Sequence, residues 1–502
     1  MKDRSAGYAV KCKNIPTRSG ARRGSAAVLL TVIFVSVASA LSVICELASE
    51  RAAENTLDGA LDNAGRVILS CYDRELQERY GIFGLEMDEA SVESNAQKLL
   101  KETFEAAPLK RSSVESVAAE CSAYSLGEPE NLKKQITELM KYRAADDAVD
   151  IVSESLGSIT SGMKNRDDIK RMTDDEEAAM DRAEQAQKES AAENGGASSD
   201  GTDFVSIRNV HKMLRKKGDE AKNSQTSLPG SDNVLRNRRI KDSLPSVTHK
   251  AGGKGAFDGS GVFSYMVSDG GMSFIYENYM ISQYAADYFQ NHISEKKTGF
   301  FQNETEYILY GNMSDKANYR RAYAAIFSIR EVMNAAYVFT DAGKKSEALA
   351  AAEVLTPGPW ANLTQYIMLA AWSAVETLND MKNLEAGNGV PIVKNDDTWS
   401  VTLSSLLEDS GSGYIKISGE SIMTYENYLK LLLMTEKEDV KLLRIMDLIQ
   451  INMKGSVREE FMIGDHFTGA VISADIKKKS VSPYVRGRTI SVSQAHSYIG
   501  GE

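Results

Sequence analysis

Charge vanishes from the chain between Gly24 and Cys45. These residues, GSAAVLLTVIFVSVASALSVIC, form one unbroken apolar run. As a helix rising 1.5 Å per residue it spans about 33 Å, close to the hydrocarbon thickness of a bilayer. Beyond it the pattern turns periodic. Leu57, Leu61, Ala64, Ile68, Cys71 or Tyr72, and Leu76 recur at steps of three or four, a single apolar stripe on a charged helix. No proline interrupts residues 17–107, so the pattern predicts that the crossing helix runs on as a stalk through about Tyr80, where Gly81 and Gly84 end it. Amphipathic helices are expected at 91–107 and 129–156, the second opened by Pro129, with an alternating strand between them in SSVESVAAECSAYSL. From about Lys164 to Gly259 apolar and aromatic residues are scarce. That stretch reads as a flexible linker with transient helix in 172–192.

The C-terminal half carries the core. It holds all three tryptophans, and ten of the 21 tyrosines fall between Tyr265 and Tyr337. Helical stripes are readable at 272–291, 316–340 and 361–382, followed by a hairpin of helices at 424–434 and 437–452. Short strands are expected at Val390–Lys394, Ala470–Ile476 and Thr489–Val492. The fold class is therefore mainly α with minor β (α+β). The expected organisation is a basic tail over 1–23, a transmembrane helix over 24–45, a stalk and small head module over 46–157, a flexible linker over 158–261, and a mostly helical domain over 262–502.

Charge sets the topology. The net charge of −11 is split, because residues 1–23 carry +6 and the remainder −17. A crossing segment keeps its basic flank in the cytoplasm, so the N-terminus is expected inside and the bulk of the chain outside the cell membrane. Two rival readings of the apolar run remain: a secretory signal cleaved near Ala38-Ser39-Ala40, and a buried helix of a cytosolic protein. An acidic body lacks the basic face that nucleic acid requires, so no nucleic-acid partner is expected. Four cysteines are too few for a disulfide framework. Cys71 and Cys121 either pair or remain free thiols.

The segment RAAENTLDGALDNAGRVILSCYDRELQERYGIFGLE (Arg51–Glu86), behind its charged lead and apolar crossing, resembles the N-terminus of TadE/TadG-like, pilin-related proteins. More closely it resembles an uncharacterised Gram-positive family encoded near tight-adherence (Flp-type) pilus genes, whose members add a C-terminal domain of unknown function. The runs ETEYILYGN, IFSIREVMNAAYVF, AAWSAVETLNDMKNLEAGNGVPIVKNDDTW and MTYENYLKLLLM are similar to the hallmark runs of that domain. The glutamate that follows the processing glycine of type IV pilins is missing after Gly24, so prepilin-peptidase processing is not implied. What the resemblance implies is a structural or assembly component of a Tad-like pilus or adhesion system. Its partners would be the membrane and pilin-like or other Tad-type membrane proteins.

Candidate chemistry is sparse, and the expectation is of no enzyme, cofactor or metal. His211, His249, His292, His466 and His496 are scattered, with no metal-type spacing. GGKG (252–255) lacks the P-loop spacing, and the Gly-Ser-Gly runs at 258–261 and 410–413 lack a nucleophile-elbow context. Asn395-Asp396-Asp397 reads as a turn cap before it reads as a Ca²⁺ loop. The tyrosine-rich helices read as core before sugar-binding surface. Arg330 interrupts the stripe Tyr323–Ile326–Met333–Tyr337, and Glu376 lies one turn beyond Trp372 on another apolar strip. A structural ion pair of Arg330 with Glu376 or Glu306 is expected. The alternative function is an anchored cell-envelope hydrolase whose paired carboxylates are hidden in the sequence.

Overall fold

The computed structural model describes residues 21–106, 112–143, 157, 171–189, 203–224, 231–250, 272–407, 415–417, 422–481 and 486–499. Most of the basic tail, much of the expected linker, GGKG and both Gly-Ser-Gly runs lie outside the described residues. The protein is mainly α with minor β. Helix α1 (Ala21–Leu69) carries the apolar run. It does not continue to Tyr80 as the stripe predicts. The chain breaks after Leu69, and Asp73 caps a new helix, α2 (Arg74–Tyr80), by accepting from the Leu76 amide. The side chain at Asp73 satisfies an amide that helix continuity would otherwise have to satisfy, so the break costs little. The end of α2 is as expected: Gly81 takes the left-handed conformation that a residue with a side chain resists.

The second half of α1 is docked. Ala53, Leu57, Ala60, Leu61 and Ile68 bury against α3 (Glu89–Ala106) and a three-stranded antiparallel sheet. On α3 the residues Val92, Ala96, Leu100 and Phe104 step by four, one face of the helix. The sheet has the order β1 (Ser112–Glu120), β4 (Gly469–Lys478), β5 (Arg488–Ser497). Along β4 the residues Ala470, Ile472, Ala474 and Ile476 are buried and the residues between them are not, a period of two. Pairing of β1 with β4, Ala118 opposite Ser473, joins segments more than 350 residues apart. The expected head module and C-terminal domain are thus one body.

The same correction holds deeper in. Leu76 and Tyr80 of α2, and Leu132, Ile136 and Met140 of α4 (Pro129–Met140), share a core with the C-terminal helices. The expected linker also contains structure. Helix α5 (Phe204–Lys222) buries Phe204, Ile207, His211, Leu214, Gly218 and Ala221 against a C-terminal helix. Few apolar residues suffice because they fall on one face. At Gly218 the helix passes close to Ala371 and Ala374, where even a Cβ would make ordinary van der Waals contact, 3.5 Å from Ala371 Cα.

The C-terminal helices follow their stripes: α6 (Met272–Tyr288), α7 (Glu304–Tyr310), α8 (Asp315–Thr340), α9 (Ala342–Leu355), α10 (Ala361–Glu385), α11 (Tyr425–Thr435) and α12 (Glu438–Ser456). Between α10 and α11, β2 (Val390–Pro391) pairs with β3 (Ile422–Met423). Cys71 is exposed and Cys121 buried, and both are free thiols. Leu61→Ala, at the centre of the α1–sheet core, should cost about 2–5 kcal/mol, read as a lower urea midpoint of the detergent-solubilised chain. An unchanged midpoint would mean that α1 is not docked.

Candidate functional site

Arg330 lies in the middle of α8 and is fully buried. Its partner is neither Glu376 nor Glu306 but Asp380, which takes Nε at 3.0 Å and Nη2 at 2.7 Å on one oxygen. The remaining donors are used as well: Nη1 reaches the Pro391 and Ile392 carbonyls and the Tyr428 hydroxyl, and Nη2 reaches Asn334. Glu376 is taken by a cation absent from the sequence reading. Lys394 Nζ sits 2.5 Å from Glu376 Oε1 and 2.7 Å from Asp380 Oδ1. The Val401 amide donates to Glu376 Oε2 at 2.7 Å. The result is an alternating chain, Arg330–Asp380–Lys394–Glu376, neutral in sum and closed to water. Burial alone would raise the Asp380 pKa, but the Arg330 and Lys394 charges overcome it and hold the carboxyl below its ordinary value.

Two signals for this network were present in the sequence. Trp372, Glu376 and Asp380 step by four along one face of α10, and Lys394 closes an apolar strand. Which carboxylate faces which cation depends on how α8 and α10 cross, and that information is not local. The arrangement locks α8, α10 and the 390–401 segment together. None of its members lines either of the cavities described next.

Glu306 lies in α7, every residue of which is buried. Its Oε1 accepts from the His292 amide at 2.9 Å and the Tyr425 hydroxyl at 2.8 Å, while Oε2 meets no hydrogen-bond partner among the described residues. Burial pushes its pKa up to about 7. Glu304, also raised to about 7 by burial, accepts from the Gln290 amide and from Asn452. Unlike Glu306 it borders a cavity of about 310 Å³, where α2 meets α6 and α12, with Arg79, Tyr80, Tyr288, Asn452 and Ser456. Gly299 lies against it, because a Cβ there would fall 2.0 Å from Glu304 Oε1. Glycoside hydrolysis uses two facing carboxyl groups, and among the described residues Glu304 is the one acid in this lining.

A second, open cavity of about 680 Å³ lies between the helical residues 171–189 and α5, bordered by Glu177, Met180, Arg208, His211 and Arg215. His211 is held there by Thr364 Oγ1 at 2.8 Å, and burial lowers its pKa to about 4. Asp73, Glu86 and His466 bring three ligand-type atoms within 4.8 Å of one another. The Arg458 guanidinium contacts both carboxylates, so the position that a cation would take is filled by the protein itself.

An extended apolar surface is exposed on α1. Leu30 is 65 % exposed and Phe34 74 %, and residues 26–40 are exposed throughout. Ala26–Leu69 is long and apolar enough to cross a membrane, the one such helix among the described residues. The Thr31 and Ser36 hydroxyls donate to the Val28 and Val32 carbonyls of their own helix, so neither needs water. The exposed run stops at Glu46, which is buried and bonded to Lys478 Nζ at 2.8 Å, Ser480 Oγ at 2.9 Å and the Val481 amide at 2.9 Å.

A family model described as a family of unknown function (DUF5702) matches residues 208–478, more than half of the chain. No curated protein and no solved structure matches. The match runs from within α5 to the last residue of β4, so α1 and β1, against which β4 packs, lie outside it.

Asp380→Ala should destabilise the fold by about 3–5 kcal/mol, because it leaves Arg330 buried without its carboxylate. Arg330→Met combined with Asp380→Leu should cost less than the sum of the single changes in urea unfolding. Glu306 generates a pH dependence of definite sign. The unfolded chain releases this proton first, so stability falls as pH rises from about 4.5 towards 7. Glu306→Gln should remove about 2–3 kcal/mol of that fall, measured as the difference between denaturation midpoints at the two ends of the window.

Proposed function

We propose, from the premise that this chain belongs to the DUF5702 family of unknown function, that it is a single-pass membrane-anchored protein and a structural or assembly component of a Tad-like pilus or adhesion system. The N-terminus is cytoplasmic and the bulk of the chain extracytoplasmic. The observation that carries this reading is the division of α1 into a bare apolar half and a half packed against the sheet. A helix built this way satisfies its own backbone in lipid and is rigidly joined to the body outside it. Residues 1–23 are basic, whereas Glu46, Glu50, Glu54 and Asp58 follow the run, and this supports the orientation. Retention of the helix is supported by its continuity from Ala38-Ser39-Ala40 into the docked half. The resemblance of Arg51–Glu86 to TadE/TadG-like proteins supplies the pilus context. Small residues at Ala27, Thr31, Ser36, Ser39 and Ala40 allow close approach of a second helix in the bilayer. The Arg330–Asp380–Lys394–Glu376 network is closed to water, which favours a structural role for it.

A second reading has one observation behind it. Glu304, with a pKa near 7 at the edge of a cavity, has the protonation behaviour of a general acid, as an anchored cell-envelope hydrolase would need. If Glu304→Gln abolished hydrolysis of cell-wall polymer by the purified chain while leaving its unfolding midpoint intact, this second reading would replace the first. For the primary reading, a cysteine introduced by Thr31→Cys in a background without the natural cysteines should crosslink in the membrane to another small-residue helix encoded beside pilus genes. Recovery of monomer alone would overturn it.

A further inference from the structure

Helix α1 and strand β5 run side by side in the same direction. Arg488 faces Glu50 at 3.8 Å, Gln494 Nε2 donates to Asp58, a Cβ on Gly65 would meet the His496 ring, and the Tyr498 hydroxyl donates to the Leu69 carbonyl. From 50 to 69 the helix advances about 29 Å, and from 488 to 498 the strand advances about 33 Å, so the two stay in step. The end of the β4–β5 hairpin therefore points down α1 towards the apolar run. Lys478 continues the inward parity of Ala474 and Ile476 and so meets Glu46. At that level Leu47, on another side of α1, is still 56 % exposed. The hairpin end stands where the helix leaves lipid.

That end is basic in an acidic protein. Lys477, Lys478, Lys479, Arg486 and Arg488 gather there against Glu46, Glu50 and Glu115. Lys478 is consumed by Glu46, and the pairs Lys477–Glu115 and Arg488–Glu50 are long, at 3.7 and 3.8 Å, and solvent-exposed. Lys479, just after β4, and Arg486, just before β5, are both exposed, and Val481 is 44 % exposed. An excess of positive charge beside apolar surface at the interface level matches phosphate-bearing headgroups above hydrocarbon.

We propose that Lys479, Val481 and Arg486, where β4 ends and β5 begins, form a lipid-headgroup contact that binds the anionic phospholipids of the leaflet from which α1 emerges, fixing the tilt of the body against the membrane. The inference rests on the reading that α1 crosses the bilayer. It adds a second point of attachment, through Lys479, Arg486 and Val481, to the one made by the helix.

The test uses the full-length chain reconstituted into vesicles, with the natural cysteines replaced and a fluorophore on Val481→Cys. In phosphatidylglycerol-containing vesicles, quenching by a headgroup spin label should exceed that in pure phosphatidylcholine by about threefold or more, and high salt should remove the difference. Lys479→Glu with Arg486→Glu should abolish the excess without moving the unfolding midpoint, since both side chains are exposed. Equal quenching in both lipids, or an excess that survives the double reversal, overturns the proposal while leaving the anchor reading intact. A response to dissolved inorganic phosphate with none to vesicle composition also overturns it. A chain that fails to float with vesicles overturns the anchor reading itself, and this proposal with it.

Discussion

Where the bare part of α1 ends and the docked part begins is settled by Glu46 and Lys478, and the arrangement of the body follows from that point. Up to Cys45 the helix presents side chains that prefer hydrocarbon, and its amides are satisfied internally. A carboxylate at the next position has to be paired or hydrated. It is buried, and the Lys478 amine at the end of β4, with the Ser480 hydroxyl and Val481 amide just beyond it, compensates it. A buried ion pair contributes less to net stability than to uniqueness of arrangement. Here it selects register. Slipping β4 by one residue would turn Lys478 outward together with Ile472 and Ile476, exposing the apolar face of the sheet and stranding Glu46 at once.

From that clamp the connection passes inward without a gap. The sheet ties α1 to the C-terminal strands, and α2 and α4 enter the same core as α6 and α12. The Tyr284 hydroxyl donates to the Tyr80 carbonyl, and Lys133 of α4 bridges Glu277 and Glu438. Further inside, the chain Arg330–Asp380–Lys394–Glu376 repeats the logic of the clamp: opposite charges alternate, the guanidinium donates its remaining hydrogen bonds to backbone carbonyls, Asn334 and Tyr428, and the Glu376 carboxylate accepts from backbone amides. Such networks tolerate one geometry and penalise its neighbours. Glu304 differs from them because one side of it opens onto space.

Much of this was legible in the amino-acid order. The apolar run, the stripe Leu57–Leu61–Ala64–Ile68, the alternation in β4 and the apolar faces of α8 and α10 are periodic features whose cause lies within a few residues. Burial of Arg330 could also be read, because a charge in the centre of an apolar stripe has nowhere else to go. The break at Ser70–Asp73 was missed because the apolar period runs across it, while the decisive Asp73 cap competes only through one side-chain hydrogen bond. Helix α5 has the composition of a linker because its apolar residues are few, although their spacing places them all on one side.

Tertiary structure alone decided the pairings. That Arg330 takes Asp380, that Lys394 claims Glu376, that β1 seeks a strand more than 350 residues away, and that Lys478 meets Glu46 all follow from how elements cross. Periodicity tells a residue which side of its own element to occupy. The partner found there is set by the packing of the other elements, a long-range balance of burial against desolvation that no local window contains.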